Sequence, residues 1–266
     1  MTQRYSHLAP NQKKIAVNML AYFIGLIISG ASFAHGQELA PAWWTLHAQA
    51  TYIPQGYGAF PASYTGPNSL VPVHQREASK TATLFLGTCL WKGGEFYADP
   101  EAAGGAGVSE ATGMAGFPNG EITRVGTNQV KAYWARVFLR QTFNFDGDIE
   151  KIEDDLNQIA GTRNANRLTI TLGKLSVLDI FDNNPYAGDP RSEFMNWALM
   201  ANGAWDYPAD TRGYTSGVAV DYRYSNWSVR TGFFLMPEVA NGPTLDKHIR
   251  DAHGEVIELE NRTAPS

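Results

Sequence analysis

Two arginines, Arg136 and Arg140, stand four positions apart in KAYWARVFLRQTF (Lys131–Phe143). A guanidinium is a permanently charged planar fork of hydrogen-bond donors, suited to gripping oxygen-rich groups. On a strand rising ~3.3 Å per residue, the pair shares one face about 13 Å apart. The alternation supports a strand. Trp134, Arg136, Phe138, Arg140 and Thr142 share one parity; Tyr133, Ala135, Val137 and Leu139 share the other, with no charge after Lys131. Such a strand suits a soluble sheet with its charges in water. It also suits a membrane barrel with an apolar outer face and a charged lumen.

Other chemical motifs fail on spacing. Gly104-Gly105-Ala106-Gly107 lacks the Lys and Ser/Thr of a phosphate-binding loop. Asp146-Gly147-Asp148 lacks the periodicity of a calcium loop. His248 and His253 are five apart without a third ligand, so no metal is expected. There is no Gly-x-Ser-x-Gly elbow, and nothing singles out one carboxylate pair for glycoside hydrolysis. No catalytic residue and no cofactor is assigned.

The elements that must carry the arginines are strands. Trp44–Tyr52 alternates, with Trp44, Leu46, Ala48, Ala50 and Tyr52 opposite Thr45, His47, Gln49 and Thr51. Thr81–Trp91 places Ala82, Leu84, Leu86 and Leu90 on one parity. Arg167–Leu172 alternates too; Lys174 falls on the apolar parity unless Gly173 marks a bulge, which would move Lys174 and Ser176 onto the polar face. Thr215–Tyr224 and Trp227–Leu235 form a hairpin in which Asp221, Arg223 and Arg230 avoid the aliphatic parity. Ile53–Ser79 and Gly93–Gly120 read as connections. Asp146–Asp155 reads as an exposed turn and short helix, with Ile149, Ile152, Leu156 and Ile159 at helical spacing.

Compartment follows from the N-terminus. Lys13 and Lys14 precede the apolar run Ile15–Gly30, and small residues Ser32 and Ala34 follow, so residues 1–34 are expected to be a cleaved signal peptide and 35–266 the mature domain. Cleavage removes Arg4, Lys13 and Lys14 and no acid, which takes the formal charge from −5 to −8. An acidic exported chain is poorly suited to nucleic acid. With Cys89 as the only cysteine, no intrachain disulfide can form. No later segment resembles a transmembrane helix, so membrane entry would require a β-barrel. Charge segregation alone is shared with a soluble β-sandwich. A periplasmic or secreted sugar-binding module and an exported glycoside-acting enzyme stand as alternatives.

Three stretches carry a resemblance: GMAGFPNGE (Gly113–Glu121), the Gly173–Gly217 run with its Asp179–Gly213 block, and NGPTLDKHIRDAHGE (Asn241–Glu255). They resemble the OprB-like carbohydrate-selective porins, and the similarity runs from about Trp43 to Glu260. The resemblance implies an all-β fold, a transmembrane antiparallel barrel of about sixteen strands in the bacterial outer membrane. It also implies passive passage of small sugars, contact with outer-membrane lipid and insertion by the barrel-assembly machinery. Between seven and nine strands are legible, and the terminal aromatic typical of such barrels is missing. The expectation is therefore an N-terminal, truncated portion amounting to roughly half a barrel.

Within that resemblance, Arg136 and Arg140 would line the pore and offer donor forks to sugar hydroxyls; balancing acidic loops inside the barrel is the alternative. Trp197 and Trp205 would stack on pyranose faces or pack an inward-folded loop. Arg191, Asp210, Arg212 and Glu121 would be constriction charges or an ion-pair network holding that loop.

Overall fold

The computed structural model describes residues 42–122, 128–184, 186–201, 203 and 205–262. The expected signal peptide lies outside them. The described chain is an antiparallel meander. Strands β1 (Trp44–Tyr57), β2 (Gln75–Trp91), β3 (Gly94–Gly105), β4 (Lys131–Asn144), β7 (Arg167–Leu175), β8 (Thr215–Tyr224), β9 (Trp227–Leu235) and β10 (His253–Asn261) pair in that order. A separate hairpin, β5 (Ile149–Ile152) with β6 (Gly161–Asn164), is inserted between β4 and β7. No described helix is long and apolar enough to cross a membrane.

One face of the sheet carries the inward-folded segments 153–159 and 176–214; among the described residues the other is bare. Leu46, Leu86, Leu139, Leu172, Val229, Ile257 and Leu259 stand exposed on the bare face, with Ile257 78% accessible. Their neighbours of opposite parity are covered: Thr45, Thr83, Phe85, Thr171, Ala219, Ser228 and Arg230 are buried. The alternation expected for β1, β2, β8 and β9 is present.

Five local expectations are corrected. The residues read as an Ile53–Ser79 connection include the ends of β1 and β2, since 53–57 pair with 75–79. The residues read as a Gly93–Gly120 connection contain β3, whose outward positions are only Phe96, Ala98, Pro100 and Ala102. Small side chains on that face gave no aliphatic stripe to detect. Ile149 and Ile152 lie on a strand, not a helix, because residues 149–152 pair with 161–164. The His253–Asn261 strand was not anticipated. The register on both sides of β7 runs through Gly173 without a shift, so Lys174 keeps the parity of Leu172; its ammonium donates to the Trp134 carbonyl at 2.8 Å.

The phase change occurs instead in β4. Asp99 pairs with Arg136 but Pro100 pairs with Trp134, leaving Ala135 as the extra residue of a bulge. Proline has no N–H to give the ladder, which explains why pairing breaks at this point. The bulge turns Tyr133 inward and sends Trp134, 55% exposed, to the bare face, reversing the parity expected for both.

Against part of the inner face, segment 176–214 builds a dry core with Tyr97, Phe138, Leu175, Val177, Leu178, Phe181, Met200, Tyr207, Ala219 and Phe234. Gly232 is needed there: a Cβ on it would run into the Phe234 ring and meet the Phe181 ring at 3.0 Å. The rest of the inner face lies over a polar cavity.

Candidate functional site

The site begins with cross-strand neighbours on β3 and β4. The register sets Glu95 opposite Arg140, Asp99 opposite Arg136 and Glu101 opposite Tyr133. Arg136 is held most firmly. Its Nε and Nη2 donate to the two Asp179 oxygens at 2.6 and 2.8 Å, and Nη1 lies 3.4 Å from Asp99. Asp179 ends the single 3-10 turn Val177–Asp179 and also accepts the Ser176 N–H at 3.2 Å. Arg136 therefore ties the start of the inward segment to the sheet. Arg140 is less constrained: it donates to the Asn157 carbonyl at 3.0 Å, lies 3.6 Å from Glu95, and sits 4.9 Å from the Tyr97 ring centroid.

Further along β3, Glu101 is fully buried. It accepts hydrogen bonds from the Thr83 hydroxyl at 2.5 Å, from Arg191 at 2.8 Å and from the Tyr133 hydroxyl. Arg191 also reaches Glu121 at 3.0 Å, and Gln49 and Thr83 at 3.1 Å each. Glu121 accepts the Thr81 hydroxyl at 3.1 Å.

A second charged wall spans β8, β9 and β10. Asp221, Arg230 and Glu258 are successive register partners, and Arg230 reaches Glu260 at 2.7 Å. Outside the eight-stranded sheet, Glu150 of β5 accepts from Arg167 at 2.7 Å, and this hydrogen bond holds its carboxyl below the usual carboxylate range.

Between these walls lies a cavity of about 640 Å³. Its lining includes Arg136, Arg140, Arg163, Arg167, Arg191, Arg223, Arg230 and Arg262, and its few apolar contributors include Phe85 and Leu178. Each of these eight arginines is paired with a carboxylate. The surface offers donors and acceptors side by side, the chemistry that binds hydroxyl groups.

Of the residues singled out in the sequence, Arg136, Arg140 and Arg191 line this cavity, with Glu121 behind Arg191. The others lie elsewhere. Trp197 and Trp205 pack on Tyr207 with ring centroids 6.3 and 5.7 Å away. Asp210 accepts the backbone N–H groups of Arg212 and Tyr214 at 2.9 and 3.1 Å, closing a turn. The Arg212 guanidinium lies 3.9 Å from the Tyr133 ring centroid. Sequence reasoning missed the carboxylates of β3 and β10. Their signal was present as Glu258 and Glu260 alternating with Ile257 and Leu259, and as Glu95, Asp99 and Glu101 on one parity.

An all-β antiparallel sheet with a bare apolar face and a charged, loop-covered inner face is porin-type β-structure. The family model of the carbohydrate-selective porin, OprB family, matches residues 82–266, more than half of the chain. The chain belongs to that family. No protein of curated function and no solved structure matches it.

Proposed function

We propose that the chain works as an outer-membrane channel for passive, carbohydrate-selective diffusion. The observation that supports this best is the opposition of the two faces. Leu139 and Leu172, register partners on β4 and β7, are exposed on the bare face, while Arg136 and Arg140 of the same β4 lie on the cavity. A soluble sandwich would turn the aliphatic face inward and the charges to water; here the apolar face is the uncovered one, as lipid requires. In this reading residues 1–34 direct export and are removed. Sugars pass downhill, exchanging hydrogen bonds with Arg136, Arg140 and the paired carboxylates, without a cofactor.

Liposome swelling with reconstituted full-length protein tests the reading. Isotonic glucose should enter faster than into empty vesicles, and faster than a trisaccharide does. Recovery of the protein in the soluble periplasm without detergent, together with absence of swelling, would sink it.

A further inference from the structure

The bare face is apolar along most of its length, but it carries two cations at one end. Arg76 and Lys80 of β2 share the outward parity of Ala82, Leu84 and Leu86, and both are exposed. The cavity arginines are held by carboxylates, whereas among the described residues neither Arg76 nor Lys80 has an ion-pair partner. Glu77, between them in the chain, has the opposite parity. Lys174, of outward parity on β7, already donates to the Trp134 carbonyl.

Register places Lys80 opposite Tyr52 on β1, which is 44% exposed, and opposite Gly104 on β3. A Cβ on Gly56 would stand 3.3 Å from the Arg76 Cγ, so the arginine stem lies against β1. The remaining outward neighbours, Pro54 and Ala78, are small, and the two charged ends project above them.

The height of the pair follows from the other end of the same face, where Trp44, Trp91, Tyr224 and Trp227 stand exposed. Such a girdle marks a membrane boundary. Trp44 is the register partner of Thr88, and Lys80 and Arg76 lie eight and twelve positions from Thr88. Those steps are about 26 and 40 Å along the strand, or roughly 20 and 30 Å along the membrane normal at a tilt near 40°. An apolar band is ~25 Å tall, so its far edge falls between the two cations. The connections at that end are the long ones, 58–74, 106–130, 176–214 and 236–252, and long connections face the outside of the cell.

We propose that Arg76 and Lys80, with the Tyr52 hydroxyl, form a docking site for the phosphate groups of a phosphorylated glycolipid in the outer leaflet. The guanidinium fork grips one phosphate through two donors, the ammonium adds a point charge about 13 Å away, and the acyl chains run down the apolar face beneath. The headgroup supplies the counter-charge that the protein withholds. The proposal rests on the bare face being the lipid surface, as the channel reading requires.

Native mass spectrometry of the full chain in non-ionic detergent tests this, titrated with diphosphorylated lipid A and separately with the same lipid stripped of phosphate. Flotation with phosphatidylcholine vesicles scores insertion in parallel. The phosphorylated lipid should bind on the order of twentyfold more tightly than the stripped one. Arg76→Gln and Lys80→Gln should each weaken it about fivefold. Arg250→Gln, in the exposed part of the 236–252 connection, should leave it unchanged. Equal affinity for the two lipids would overturn the proposal, as would unmoved affinity in both site variants. Full competition by inorganic phosphate at constant ionic strength would overturn it too, because the site would then read a free anion. Insertion into vesicles without a phosphate preference removes this inference alone. Failure to insert removes the channel reading with it.

Discussion

Arg191 and Glu101 meet in a buried ion pair that bridges ninety positions of sequence. Nη2 lies 2.8 Å from Oε2, and the side chains are 4% and 0% exposed. With Glu121, 1% exposed, on the other side of the guanidinium, the pair pins segment 176–214 to β2 and β3. Removing one partner of a buried ion pair costs ~3–5 kcal/mol. Arg191→Met should therefore lower the temperature at which the folded band converts to the unfolded one in detergent gels. It should also raise single-channel conductance as the segment detaches. A variant with native melting and native conductance would show that this ion pair does not hold the segment.

Arg140 offers the cleaner test of pore lining, since it braces less of the structure than Arg136 does. Its direct partners are the Asn157 carbonyl, the Tyr97 hydroxyl and Glu95, and Glu95 keeps Arg163 at 3.1 Å when Arg140 is gone. Arg140→Ala is expected to assemble normally and to change glucose permeation severalfold in liposomes. Arg136→Ala should alter flux and also loosen the Val177–Asp179 turn, because Asp179 loses both of its guanidinium donors. Unchanged permeation in both variants would place the path elsewhere.

The bare face is tested by Leu172→Arg. Leu172 is 57% exposed and faces Leu139 across the ladder. An arginine at the lipid midplane costs about 2–4 kcal/mol, so insertion yield and folded fraction in vesicles should fall. An inward substitution such as Thr169→Ser should leave both unchanged. If Leu172→Arg improved solubility and retained the fold without lipid, the apolar face would not be a membrane surface.

Acid should loosen the β5–β6 hairpin. Because the Arg167 hydrogen bond lowers the folded-state pKa of Glu150, its stabilisation is complete above the ordinary glutamate value of about 4.3. It is lost as pH falls through the depressed folded value. Cleavage after Lys151 by a trypsin-like protease at neutral pH should be faster in Glu150→Gln than in the native chain. Amide exchange in residues 149–164 should show the matching loss of protection on acidification. Identical cleavage rates would mean the hairpin is held by its ladder alone.

Except for β10, the strands with large aliphatic residues on one parity were readable because the period of two survives any register. β8 and β9 show it most clearly, with Asp221, Arg223 and Arg230 kept off the face of Val218, Val220 and Val229. β3 was not readable. Its outward face has Phe96 but otherwise only alanine and proline, and its inward face carries three acids, so it looked like a polar connection until the ladders on both sides were visible. The same strand supplies Glu95, Asp99 and Glu101, so the Asp99 partner of Arg136 and the Glu95 partner of Arg140 were hidden with it. Pro100 did carry a local signal, since a residue without an N–H in a central strand calls for a bulge. Its effect fell on Ala135 of the neighbouring strand, which only pairing could reveal.

By itself the sequence determined the strand character of most of the sheet, the segregation of arginines from aliphatics, and membership of a porin family through the Asp179–Gly213 block and its flanks. These depend on local alternation and on residue identity, and both can be read along one chain. The tertiary structure alone decided which carboxylate meets which guanidinium, that Arg191 is buried between Glu101 and Glu121, and that Trp197 and Trp205 pack on Tyr207. Those facts depend on contacts between residues far apart in sequence. A buried charge is tolerated only where such a contact compensates it, so the pairing could not be known before the fold that brings the partners together.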